Sequence, residues 1–130
     1  MRRFSLNKLV RDGVYDGMVA DGQHPHLREL TDAEYAQALV DKLQEETGEL
    51  DLSDPEQILK ELGDRQEVAD ELARVLGSSP EAVRTLADER HAKVGGFAAR
   101  RYVVQLDLED GDRWVEYYAA DPRRFPEITE

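Results

Sequence analysis

The residues of this chain best suited to chemistry are two acidic pairs, Glu46 and Glu49 in LQEETGEL and Glu61 and Asp64 in LKELGDRQEV. Each pair is spaced i, i+3 in sequence that reads as helix, and such positions share one face with Cβ atoms about 5–6 Å apart. Each helix therefore offers a two-carboxylate claw. Carboxylates from two facing claws would hold a hard divalent cation, Mg²⁺ or alternatively Mn²⁺. The chemistry implied is metal-dependent hydrolysis.

The place of these acids in the apolar pattern sharpens the reading. After Thr31 the apolar stripe is Tyr35, Leu39, Leu43 and Leu50. At ~100° per residue Glu46 falls inside it, Glu49 lies at its edge and Glu45 points away into solvent. In the next helix the stripe runs Ile58, Leu62, Val68, Ala69, Leu72, Val75 and Leu76. Glu61 falls within it and Asp64 borders it. A buried carboxylate is costly unless it is paired, hydrogen-bonded or bound to a cation. The bland alternative is four surface acids in a chain with 29 Asp and Glu among 130 residues. Interruption of two apolar stripes, rather than recurrence of acids, favours the metal reading.

The helix punctuation sets how these acids meet. Thr31 and Glu34 form a capping box ahead of a helix reaching about Leu50. Asp54, Pro55 and Gln57 open the next, which Gly77 closes. The acids thus sit at the end of one helix and the start of the other, across the short DLSD connection. An antiparallel hairpin makes them neighbours. Ser79, Pro80 and Glu81 start a further helix ending before Gly95 and Gly96, and Asn7 to about Ala20 forms a first helix that Asp21 and Gly22 end. Tyr102–Leu108, the EDGD turn and Arg113–Tyr118 read as a small hairpin, followed by an irregular tail. The fold expected is mainly α, an antiparallel bundle of about four helices with a small C-terminal β-hairpin, in a single domain over 1–130 with 101–130 as an extension.

Composition bounds the function. A net charge of −12 and a pI near 4.7 argue against duplex nucleic acid or an anionic membrane as partner. Polyanionic substrates would need metal to approach. No cysteine is present, which excludes disulfides, thiolate zinc sites and cysteine nucleophiles. No apolar run approaches the ~18 residues of a membrane span, and MRRFSLNKLV lacks the apolar core of a secretion signal. A cytoplasmic protein is expected.

Four segments together carry a resemblance: NKLVRD at Asn7–Asp12, ADG at Ala20–Gly22 with a proline following, the ExxE and ExxD pairs, and GGF at Gly95–Phe97 followed by Arg100 and Arg101. In order and spacing, over roughly the first 100 residues, the chain resembles the MazG-like all-α nucleoside triphosphate pyrophosphohydrolases, including small members labelled phosphoribosyl-ATP pyrophosphohydrolase-like. The resemblance implies that Glu46, Glu49, Glu61 and Asp64 bind Mg²⁺ and form the catalytic centre. Water would attack a phosphorus of a bound nucleoside triphosphate, releasing pyrophosphate and leaving the monophosphate. It also implies homo-oligomers, dimers or tetramers, in keeping with the small chain. One of the four acids, or Glu45, would serve as base, with the residues leaving that choice open.

Fixed cations for the polyphosphate are Lys8 and Arg11 in NKLVRD and Lys93 beside the glycines, Arg being suited to bidentate phosphate contact. Each could equally be a solvated residue balancing local acids. Asn7 could be an N-cap and the glycine pair a helix end. The chain departs from the family pattern at Gly13, at Val94 and at Gly63, the last costing about 1 kcal/mol of helix propensity while permitting close packing. His24 and His26 flank Pro25 without a third ligand of matching type, His91 suits a helix C-terminus, and Trp114 with the nearby tyrosines suits packing better than base stacking. Two rivals stand beside this reading. One is hydrolysis of phosphoribosyl-ATP in histidine synthesis, and the other a non-enzymatic acidic helical module that binds a protein partner or buffers cations.

Overall fold

The structure, a computed structural model, describes residues 1–48 and 50–129. Its elements are α1 (Asp12–Ala20), α2 (Asp32–Thr47), α3 (Pro55–Val75), α4 (Pro80–Val94) and α5 (Val115–Ala119). Among the described residues there is no strand, so the all-α class holds. The chain divides into two compact units, Met1–Val94 and Gly95–Glu130, each described by itself.

In the first unit the capping signals act as the sequence dictates. The Thr31 hydroxyl accepts from the Glu34 N–H at 3.2 Å while the Glu34 carboxylate accepts from the Thr31 N–H at 3.1 Å, closing the capping box. Asp54 accepts from the Gln57 N–H at 3.2 Å, with Pro55 at the start of α3. Gly77, at φ +80°, ends α3, donating to Arg74 O as Ser78 donates to Ala73 O. That pair of bonds is the Schellman arrangement, which needs a left-handed residue at this position. Helix α1 is shorter than expected. Asn7 has φ +47° and its amide donates to Ser5 Oγ, so it neither begins nor caps a helix, which opens instead at Asp12.

Helices α2 and α3 form the antiparallel hairpin. Tyr35, at the start of α2, donates to Glu71 late in α3 at 3.1 Å, while Glu46, at the end of α2, meets residues early in α3. Helix α4 packs back on α3. The core between them is thin: among the described residues Leu39 and Ala73 are its buried apolar side chains, joined by one buried acid, Glu46. Helix α3 is apolar over a wider arc than its partners cover. Ile58, Val68, Leu72 and Val75 are half-buried, whereas Leu59 and Leu62, with Leu76 just past the helix end, lie exposed on the strip beside them. Gly63 lies on α3 with no described atom within 4 Å of where a Cβ would stand, so close packing against the described residues is not what holds glycine there.

In the second unit the expected hairpin is replaced. The turn forms, with Asp112 N–H donating to Glu109 O at 2.9 Å, but the Asp112 carboxylate then accepts from the Trp114 N–H at 2.8 Å, and α5 begins at the next residue. The aromatics explain why helix wins over strand. Trp114, Tyr117 and Tyr118 are spaced i, i+3, i+4, which gathers their rings on one side of a helix. Tyr117 meets Trp114 and Tyr118 edge to face at centroid distances of 5.6 and 5.1 Å, and Phe125 closes on Tyr118 at 5.0 Å. A strand would send Trp114 and Tyr117 to opposite faces. The segment from Arg101 to Glu109 runs without turn or bend and has no strand beside it among the described residues.

Candidate metal centre

The hairpin brings Glu46 of α2 to Glu61 and Asp64 of α3. Each offers a carboxylate oxygen, and the three oxygens all lie within 4.8 Å of one another. Ligand oxygens on an octahedral Mg²⁺ at about 2.0–2.1 Å lie roughly 3–4.2 Å apart. The spacing of this set is of that order, and an all-carboxylate donor set suits a hard cation. Glu46, Glu61 and Asp64 therefore fit a divalent ion. Glu49, the fourth acid expected, lies outside the described residues.

Burial grades the three. Glu46 is 8% exposed, as its place within the α2 stripe required, while Glu61 and Asp64 are half-buried. Gln57, one turn earlier on α3, donates to Glu61 Oε1 at 2.9 Å and orients its carboxylate. The Lys42 ammonium lies 3.9 Å from Glu46 Oε1 and 4.0 Å from Glu45 Oε2. A cation one helical turn before an acid was legible in the sequence as an i, i+4 pair.

Arg11 reaches the same acids from the segment preceding α1. Its guanidinium donates to Asp64 Oδ1 at 3.0 Å and to Glu67 Oε2 at 2.7 Å. The hydrogen bond to Glu67 and that residue's charge hold Arg11 above its ordinary pKa, with Asp64 and Glu46 adding to the effect. Lys8 lies 3.6 Å from Glu45 Oε1. Glu45 is thus exposed, as expected, but held between two lysines. Lys8 and Lys42 both line a groove of about 230 Å³ between the N-terminal segment and α2, together with Asn7, Asp41 and Glu45. Of the three expected phosphate cations, Arg11 meets the acidic cluster at Asp64, while Lys8 pairs with Glu45, the sequence neighbour of Glu46. Lys93 lies in the last turn of α4 and makes no ion pair or hydrogen bond with a described residue.

Glu67 and Lys42 are the members of the site that the motif reading passed over. Glu67 continues the Glu61, Asp64 spacing by another three residues, so the signal was present as a triple rather than a pair. Gly95, at φ +78°, follows the last residue of α4 in left-handed conformation, which is the helix-ending role. With Gly96, Phe97, Arg100 and Arg101 it belongs to the second unit. Comparison with known protein families, curated proteins and solved structures finds no match to this chain.

Proposed function

We propose that the chain is a Mg²⁺-dependent nucleotide pyrophosphohydrolase, converting a nucleoside triphosphate to the monophosphate and pyrophosphate. The observation that supports this reading most is the meeting of Glu46, Glu61 and Asp64 within 4.8 Å, with Arg11 and Lys42 on the same acids. A bound Mg²⁺ would neutralise phosphate charge and lower the pKa of a coordinated water. Glu46, Glu61 and Asp64 would hold it, with Glu49 as the fourth acid of the motif. Arg11 has its guanidinium fork beside the acids and can exchange a carboxylate for a phosphate oxygen, keeping two parallel N–H donors on an anion. Lys8 and Lys42 flank the groove and supply further positive charge to a chain whose net charge of −12 repels nucleotides. Lys93 completes the set of proposed phosphate cations.

Homo-oligomerisation, as dimer or tetramer, belongs to the same reading. The chain exposes 12169 Å², against about 7,000 Å² for a folded monomer of 14.8 kDa. Treated as two separate bodies, the units would expose about 8,000 Å² by the same scaling. The uncovered strip of α3, with Leu59, Leu62 and the adjoining Leu76, is an apolar surface that a second copy would bury.

The test is incubation of the pure protein with Mg²⁺ and a panel of ribo- and deoxyribonucleoside triphosphates, with EDTA and Glu61→Gln controls and chromatographic product identification. Monophosphate and pyrophosphate, lost in both controls, are expected. No turnover of any triphosphate, with the folded state intact, would contradict the reading.

A further inference from the structure

The segment 101–109 carries the alternating pattern of an amphipathic strand, although it pairs with no strand among the described residues. Its even positions, Tyr102, Val104, Leu106 and Leu108, are all apolar, whereas Arg101, Gln105, Asp107 and Glu109 alternate with them, Val103 being the exception. In extended backbone these sets point to opposite faces. The backbone here is free of turns and bends, and no hydrogen bond joins residues 102–108 to another described residue. Tyr102 is 89% exposed and Val104 83%. The turn at Phe97–Arg100, where the Arg100 N–H donates to Phe97 O, delivers the chain into this stretch, and the Glu109–Asp112 turn ends it. Because α5 forms where a return strand would have been, this segment has no backbone partner among the described residues.

The charge pattern identifies the occupant. The segment is basic at one end, with Arg100 and Arg101, and acidic at the other, with Asp107, Glu109 and Asp110. Such a strand is complementary to itself when reversed. Antiparallel pairing of two copies about Val104 sets Arg101 opposite Asp107, Tyr102 opposite Leu106 and Val103 opposite Gln105, each twice. That register keeps Tyr102, Val104 and Leu106 of both copies on one face and sets the two Arg101–Asp107 pairs on the other, both stabilising as direct cross-strand pairs. A parallel pairing would instead stack arginine on arginine and acid on acid. We propose that residues 101–107 form a two-fold antiparallel ribbon with the same segment of a second copy, centred on Val104. A two-fold contact of this kind closes on itself in register.

The absence of cysteine makes the register directly readable. Residues directly opposite in an antiparallel pair have Cα atoms about 4.5–5.5 Å apart, inside the range a disulfide spans. Single-cysteine variants of the full chain are oxidised with diamide and resolved on non-reducing gels, with exposed Leu52→Cys marking the rate of random collision. Val104→Cys is expected to dimerise at least about tenfold faster than Leu52→Cys, since pairing raises the local thiol concentration far above bulk. Arg101→Cys and Asp107→Cys, whose like positions are separated by roughly 20 Å in the ribbon, are each expected to cross-link only at the collision rate. An equimolar mixture of these two variants should cross-link rapidly. Val104→Cys linking no faster than Leu52→Cys overturns the ribbon, as does rapid linkage of Arg101→Cys alone. The readout is independent of catalysis, so it separates this interface from the proposed activity.

Discussion

At the residue scale the site is a balance of charge. Glu46 is the most buried of its acids, with Lys42 at 3.9 Å, and Asp64 is held by Arg11 at 3.0 Å. Replacing Glu46 with Gln keeps shape while removing the charge. The expected outcome is at least about a hundredfold loss of turnover, greater than the tenfold or so typical of an outer-shell change, and weaker Mn²⁺ binding by calorimetry with little change in circular dichroism. Arg11→Ala separates two roles. Its ion pairs are about half exposed, so the loss of stability is ~1 kcal/mol or less. Mn²⁺ should bind the variant more tightly, because a competing cation has gone, while KM for the triphosphate rises. Equal weakening of metal and nucleotide would show that Arg11 organises the acids rather than meeting phosphate.

At the element scale the helix ends carry the architecture, and they were the most legible part of the sequence. Thr31 with Glu34, Asp54 with Pro55, and Gly77 each act through backbone groups next to them in the chain. Thr31→Ala should cost about 1 kcal/mol in urea unfolding. The Arg28 guanidinium, then the Thr31 backbone and hydroxyl, hold the Glu34 carboxyl below its ordinary value of 4.5. A depressed folded-state pKa stabilises above the unfolded value and is lost as pH falls through the folded one. The deficit of Thr31→Ala relative to wild type should therefore be full at neutral pH and shrink as the pH drops below about 4.5. Gly63→Ala, where no neighbour lies within 4 Å of the added carbon, should stabilise the monomeric fold by up to about 1 kcal/mol. Loss of stability instead would mean that a second copy packs on this glycine.

The illegible parts share a physical cause. The acidic triad could be read because both helices and the short connection fix its geometry locally. The start of α1 could not, because an asparagine that fits a helix N-cap also tolerates the left-handed backbone found at Asn7. Nor could the fate of Trp114, Tyr117 and Tyr118, whose β-favouring side chains also fit helical i, i+3, i+4 spacing once Asp112 caps the turn. Tertiary placement of Arg11 on Glu67 required knowing which way the N-terminal segment runs. Its motif identified a cation but not its partner.

At the scale of the whole molecule, thin burial is the governing fact. With Leu39 and Ala73 as the buried apolar residues of the described chain, the proposed oligomer is the form expected to be stable. Sedimentation equilibrium should give a mass of at least twice 14.8 kDa, and the melting temperature should rise with protein concentration. A monomer with concentration-independent melting would contradict the oligomeric account. The acidic balance acts at this scale as well. Millimolar Mg²⁺ should stabilise wild type more than Glu46→Gln, whereas equivalent ionic strength from sodium chloride should not distinguish them.

The measurement that tests the central claim most directly is a ³¹P NMR time course of a turned-over nucleoside triphosphate in Mg²⁺, run on wild type and on Glu46→Gln. The account predicts paired growth of monophosphate and pyrophosphate signals in wild type, and neither in the variant. Diphosphate and orthophosphate as the products, or equal turnover by the variant, would contradict it.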